Sequence, residues 1–113
     1  MIYKFMYFFL KLFIGAIMPI DEHTATHVAE LFQTLSDPSR VRIISALLES
    51  EMNVGALAES VEMSESAVSH QLRGLRQMRL VRARKDGRQV FYSLEDEHVA
   101  GLFRQGLEHT RHD

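Results

Sequence analysis

From about residue 21 onward, apolar residues recur at the three- and four-residue spacing of amphipathic helices. Val28, Leu31, Phe32 and Leu35 predict a helix over 22–36, which Asp37-Pro38 breaks. Pro38 suits the first position of a second helix over 38–50, with Val41, Ile44, Leu47 and Leu48 facing inward. Asn53 is an N-cap candidate for a short helix through Val61, and Ser64 caps another that runs to about Met78. The pattern then shifts to strands, Leu80 to Lys85 and Arg88 to Leu94, around Asp86-Gly87, a two-residue hairpin signal. A last helix spans Glu95 to about Thr110. The expected fold is mainly α with a β-hairpin wing, a winged helix-turn-helix.

The first eighteen residues stand apart. Met1 to Met18 is apolar and aromatic, with only Lys4 and Lys11 charged. A membrane span wants about 20 apolar residues, and Lys11 falls in the middle of this one. As a signal peptide it has a weak basic start and no clean small-residue cleavage site. A third reading starts translation at Met18, and that reading is favoured over a membrane anchor. Residues 1–20 are therefore taken as an apolar extension, and 21–113 as a single folded domain.

The net charge of −2 suits a DNA binder poorly until it is mapped along the chain. Between Ser64 and Ser93 lie seven basic residues, Arg73, Arg76, Arg79, Arg82, Arg84, Lys85 and Arg88, against the acids Glu65 and Asp86. Such a stripe suits a face that meets phosphates. At about 100° per residue, Val68, Leu72 and Leu75 share one side of the 64–78 helix. Ser66, Ser69, His70, Arg73 and Gln77 share the other. These hydroxyl, imidazole, guanidinium and amide groups are the kinds that hydrogen-bond base edges and phosphates in a major groove. Arg84, Lys85 and Arg88 flank the hairpin tip, placed for backbone phosphate. The absence of cysteine excludes disulfides and thiolate sites, and fits the cytoplasm expected of a DNA-binding protein.

The last helix carries different chemistry. His98, Leu102, Gln105, His109 and His112 fall on one narrow face, while Val99, Phe103, Gly106 and Leu107 form a separate apolar stripe. His109 and His112, at i and i+3, can share an ion. Asp96 and His98 can share one if Asp96 sits at or before the N-cap. The two pairs cannot serve the same ion. His98 and His109 are about 16 Å apart along the axis at about 1.5 Å per residue, whereas metal–nitrogen bonds are only about 2.0–2.1 Å. An antiparallel partner helix from a two-fold homodimer would complete both sites. Each would hold Asp96 and His98 of one chain with His109 and His112 of the other. One carboxylate and three imidazoles suit Zn(II), with Co(II) also able to bind.

The stretches LSDPSRVRIISAL (35–47), LAESVEMSESAVSHQLRGLR (57–76) and LVRARKDGRQVFYSL (80–94), with the Asp-x-His … His-x-x-His tail, resemble the ArsR/SmtB family of metal-responsive repressors. The resemblance implies a homodimer that represses its operator, double-stranded DNA, when metal-free. It implies an inhibitory metal at paired C-terminal helices, on Asp96, His98, His109 and His112. It further implies that His109 hydrogen-bonds toward the hairpin and helix-turn-helix, with Arg79 as the receiving residue. Derepressed genes would encode metal efflux or sequestration. The cysteine-based second site of some relatives is missing, and the tail lacks the extra ligands of nickel sensors. His23 and His27 could serve as a fifth and sixth ligand for Ni(II) or Co(II), but they are read as solvated residues of the first helix, so Zn(II) is favoured. A same-fold repressor of a non-metal signal is the other alternative. A hydrolytic zinc enzyme would need an open coordination position and a general base. Glu97 and Glu108 are at hand, but no HExxH motif occurs, and neither enzyme activity nor a small-molecule substrate is expected.

Overall fold

A computed structural model describes residues 2–17 and 19–111. Its elements run α1 (Ile2–Ile17), α2 (Glu22–Thr34), α3 (Pro38–Glu49), β1 (Met52–Asn53), α4 (Val54–Val61), α5 (Glu65–Gln77), β2 (Val81–Asp86), β3 (Gln89–Leu94) and α6 (Glu97–Arg111). The chain divides into two compact units, residues 1–30 and 31–113, with the boundary inside α2. In the first unit, Tyr3, Phe5, Tyr7 and Phe8 of α1 are all more than half exposed. Its 16 residues span about 24 Å at about 1.5 Å per residue, short of a bilayer core of about 30 Å. Among the described residues, no helix is long and apolar enough to cross a membrane.

The second unit is stopped and started by local chemistry. Asp37 caps α3, its carboxylate accepting from the Ser39 N–H at 3.4 Å, with Pro38 at the first helical position. Asn53 Oδ1 accepts from the Ala56 N–H at 2.8 Å and Ser64 Oγ from the Ala67 N–H at 3.1 Å, opening α4 and α5. Between these helices the chain turns through Glu62 in the left-handed region (φ 56), while the Met63 N–H reaches the Ala58 carbonyl at 3.0 Å.

The core joins Ile43, Ile44 and Leu47 of α3 to Leu57, Ala58 and Val61 of α4, Val68, Leu72 and Leu75 of α5, and Leu80 and Val81. On α3 the buried set differs from the expected one. Ile43 is fully buried, whereas Val41 and Leu48 are half-buried. Neighbours on two sides, α4 and the sheet, widen the inward face of α3 beyond a single stripe.

The hairpin also differs in detail. Asp86 pairs with Gln89, so the turn residues are Gly87 and Arg88, one position later than expected. Gly87 has φ 64, as a turn with glycine first requires. A third strand, unforeseen, pairs Met52 with Tyr92 and Asn53 with Phe91, giving the order β1-β3-β2. On α6, Ala100 is buried and Val99 and Phe103 pack against the core. Gly106, expected on the apolar stripe, is exposed because the core ends before the last turns of the helix.

Candidate nucleic-acid interface and metal centre

The core fixes the rotation of α5. Val68, Leu72 and Leu75 are at most 1% exposed, so the opposite side faces outward. Ser66, Ser69, His70, Arg73 and Gln77 are all exposed there. Gln71 does not join them. Its Nε2 donates to Asp37 Oδ2 at 3.3 Å and Ser39 Oγ at 3.2 Å, and its Oε1 accepts from Arg40 Nε at 2.8 Å. Arg40 also donates to the Thr34 carbonyl at 3.1 Å. This polar bridge ties α5 to the start of α3. The motif around Asp37 marked the place in the sequence, but its partner lies more than thirty residues away.

Apart from Arg82, whose Nε donates to Ser93 Oγ at 3.4 Å, the basic residues fall into two groups. Arg84 lies in a two-pronged pair with Glu51, Nη2 to Oε1 at 2.7 Å and Nε to Oε2 at 3.1 Å. Asp86 stands 3.6 Å away, and the Phe91 ring centre lies 5.1 Å from the guanidinium. Hydrogen bonding to Arg84 holds the Glu51 carboxyl below its usual range, and the same pair raises Arg84. The guanidinium expected on phosphate is thus already shared with carboxylates, and it ties the wing to the residue preceding β1. Asn53 adds a tie, its Nδ2 donating to Gln89 Oε1 at 2.9 Å. Arg73, Arg76, Arg79, Lys85 and Arg88 are exposed and make no ion pair among the described residues.

Arg79 closes α5 as Glu62 closes α4. It adopts φ 57, with its N–H on the Arg76 carbonyl at 3.0 Å and the Leu80 N–H on the Leu75 carbonyl at 2.9 Å. That position ordinarily takes glycine.

At the start of α6, Asp96 is the cap. Its Oδ1 accepts from the Val99 N–H at 3.1 Å, and its Oδ2 lies 3.6 Å from His98 Nδ1. The Val99 N–H, and secondarily His98, hold the Asp96 carboxyl below its usual value. Because Asp96 is outside the helical turn, the i, i+2 pair can converge. His98 is 97% exposed and His109 is exposed near the far end of the same helix. His112 lies outside the described residues. Among the described residues no three His, Asp or Glu side chains gather to hold an ion, and no hydrogen bond joins His109 to Arg79. The rings of His23 and His27, on α2, lie 4.4 Å apart.

Comparison with known proteins agrees with this architecture. Residues 37–83 match the model of the bacterial regulatory protein arsR family. The chain is similar to a transcriptional repressor SmtB homolog of Synechocystis, with 50% identity over 95 residues covering 84% of this chain and 70% of that protein. The solution structure of apo-NmtR superposes with a TM-score of 0.74 at 43% identity, covering 84% of this chain and 80% of that one. A homodimeric winged helix-turn-helix DNA-binding domain from Mycobacterium bovis gives a TM-score of 0.74 at 27% identity, covering 84% and 90%. A helix-turn-helix with its wing, on a chain 50% identical over 95 residues to a repressor homolog, leads to one conclusion: this protein belongs to the arsR family, as a winged helix-turn-helix transcriptional regulator and not an enzyme.

Proposed function

We propose that the chain acts as a homodimeric repressor that holds operator DNA when metal-free and releases it when Zn(II), or Co(II), fills sites shared between two α6 helices. The observation that carries this reading is the division of donors along α6. Asp96 and His98 stand together at one end, 3.6 Å apart, and His109 stands at the other, on the same exposed face. Neither end is a site alone. Asp96 and His98 of one chain, with His109 and His112 of its partner, would give the carboxylate-and-imidazole set that borderline divalent ions take, and a bound ion would supply a cross-link between the helices. Exposed Phe32 and Leu102 support a partner chain, being large apolar side chains that a second copy can cover.

On the DNA side, Ser66, Ser69, His70, Arg73 and Gln77 meet base edges and phosphates in the groove, and Lys85 and Arg88 hold backbone phosphate. Arg84 serves the same end through its pair with Glu51, which steadies the wing. Arg79 stands at the junction of reading helix and wing. A non-glycine residue kept in a left-handed backbone there favours a role for its side chain. The receiving role for His109 belongs to the same reading. Two reading helices meet successive major grooves only at one dimer spacing. Tying the α6 pair favours a dimer with poorer spacing.

The test selects a duplex from a random pool with metal-free protein, then titrates it with and without Zn(II). Affinity should fall about 5- to 150-fold with the ion. His98→Ala and His109→Ala should abolish that fall while leaving metal-free binding intact. An affinity that Zn(II) leaves unchanged would sink the sensor reading and spare DNA binding. The electronic spectrum of the Co(II) form sharpens the choice of ion: a tetrahedral spectrum supports Zn(II), an octahedral one Ni(II) or Co(II).

A further inference from the structure

A cleft of about 510 Å³ opens between α5 and the sheet, lined by Ser69, Arg73, Arg76, Gln77 and Tyr92. Its chemistry is one-sided. Two guanidiniums, two hydroxyls and an amide border it, and no carboxylate does. Arg40, Arg84 and Arg104 each have an acidic partner within 4 Å, whereas Arg73 and Arg76 have none among the described residues. An unpaired pair of guanidiniums beside hydroxyl donors is a receptor for a tetrahedral oxyanion.

Position narrows the choice of anion. At about 100° per residue, Ser69 and Arg76 lie about 60–80° to one side of the centre of the reading face. That is the side toward Tyr92. Base edges are met from the centre of a reading helix, and the sugar-phosphate backbone is met at its margin. Tyr92 is well suited to hold one rim in place. It lies on the central strand, paired with both Met52 and Ala83, and packs against the core.

We infer that this cleft is a backbone clamp in which Arg76 and Tyr92, with Ser69 and Arg73 beside them, hold one phosphodiester of the bound duplex at the seam between reading helix and wing. The inference deepens the proposed DNA-binding reading and rests on it. Arg76 and Tyr92 then contribute affinity and register, and no base preference.

Duplex affinity is measured over a salt series, on the selected operator and on a scrambled duplex, for the parent protein, Arg76→Ala and Tyr92→Phe. Arg76→Ala should weaken both duplexes by the same factor and make the slope of log affinity against log salt shallower by about 0.9. Tyr92→Phe should weaken both a few-fold with the slope unchanged, since it removes a neutral donor. Both variants should keep the parent unfolding midpoint, because Arg76 is exposed and the Tyr92 ring is retained. An unchanged slope for Arg76→Ala while the parent binds overturns the clamp. So does a fall in the operator-to-scrambled ratio, which would make Arg76 a base reader. If inorganic phosphate alone shifts the Tyr92 ring resonances while Arg76→Ala leaves the DNA slope intact, the cleft serves a free anion and the clamp is wrong. A parent protein that binds neither duplex removes the DNA reading itself, and the clamp with it.

Discussion

Helices α5 and α6 are similar in length, 13 and 15 residues, yet they are buried very differently. The inner side of α5 seals Val68, Leu72 and Leu75 in the core, while α6 has only Ala100 fully buried. The outer side of α5 carries a set of donors complete within one chain, positioned by the core below and by the Gln71 bridge. The outer side of α6 carries donors that are each too few for an ion. On the proposed reading, a DNA-reading surface can be finished by a single fold, whereas a shared metal site would stay divided until a second copy arrived. The difference would follow from what each is proposed to meet: one a rigid external groove, the other an ion whose ligand bonds are only about 2 Å long.

The sharpest way to break this contrast is to hollow out each helix. Leu72→Ala removes a side chain that is 1% exposed, and should cost about 2–5 kcal/mol in urea unfolding. The counterpart on α6 is Leu102→Ala. Leu102 is 36% exposed in a single chain, so its loss should be mild there. If a second copy covers it, the loss should grow with protein concentration, through weakened association. Equal, concentration-independent losses at both positions would erase the distinction between the helices.

The next test concerns the division itself. One variant carries Asp96→Ala with His98→Ala, the other His109→Ala with His112→Ala. Neither alone should bind Co(II) at the α6 site. Mixed and refolded in equal amounts, they form hybrid dimers in about half of cases, each with one intact site by two-fold symmetry. Co(II) absorption should return at about one ion per two dimers. No recovery in the mixture, with dimers present, would mean that each chain gathers its donors alone.

How much was legible follows the reach of the interactions. The caps at Asn53 and Ser64 act over three residues, and the sequence displays them. The α5 face was legible for the same reason, since a helix repeats and its apolar side must turn inward. Strand β1 was not. Two residues carry no periodicity, and Met52 and Asn53 are strand only because Tyr92 and Phe91 lie beside them. Glu51 and Gln71 were hidden likewise, their partners being 31 to 34 residues distant. The turn was misplaced by one residue because Gly87 can serve either turn position, and only the pairing of Asp86 with Gln89 decides. On α6 the donor spacing was plain, and the completion proposed for it would depend on a second chain that no single sequence displays.

The smallest effect sought is the tie between the wing and the residue before β1, and its pH dependence has a definite sign. Arg84 lowers the Glu51 carboxyl in the folded chain below its unfolded value. Deprotonation therefore favours the folded state. The stabilisation is fully present above the ordinary carboxylate range and disappears as pH falls through the lowered folded value. Glu51→Gln keeps the shape and removes the charge. At neutral pH it should lower the unfolding midpoint slightly, because both partners are solvent-exposed and salt screens them. As pH falls from 7 to 3 the difference between parent and variant should narrow, and added salt should shrink the neutral-pH gap. A gap of constant size from pH 7 to pH 3 would mean that Glu51 acts through packing. The wing would then be held by its strand pairing and the Asn53–Gln89 contact, leaving the Arg84 guanidinium free for the phosphate role that its place on the hairpin first indicated.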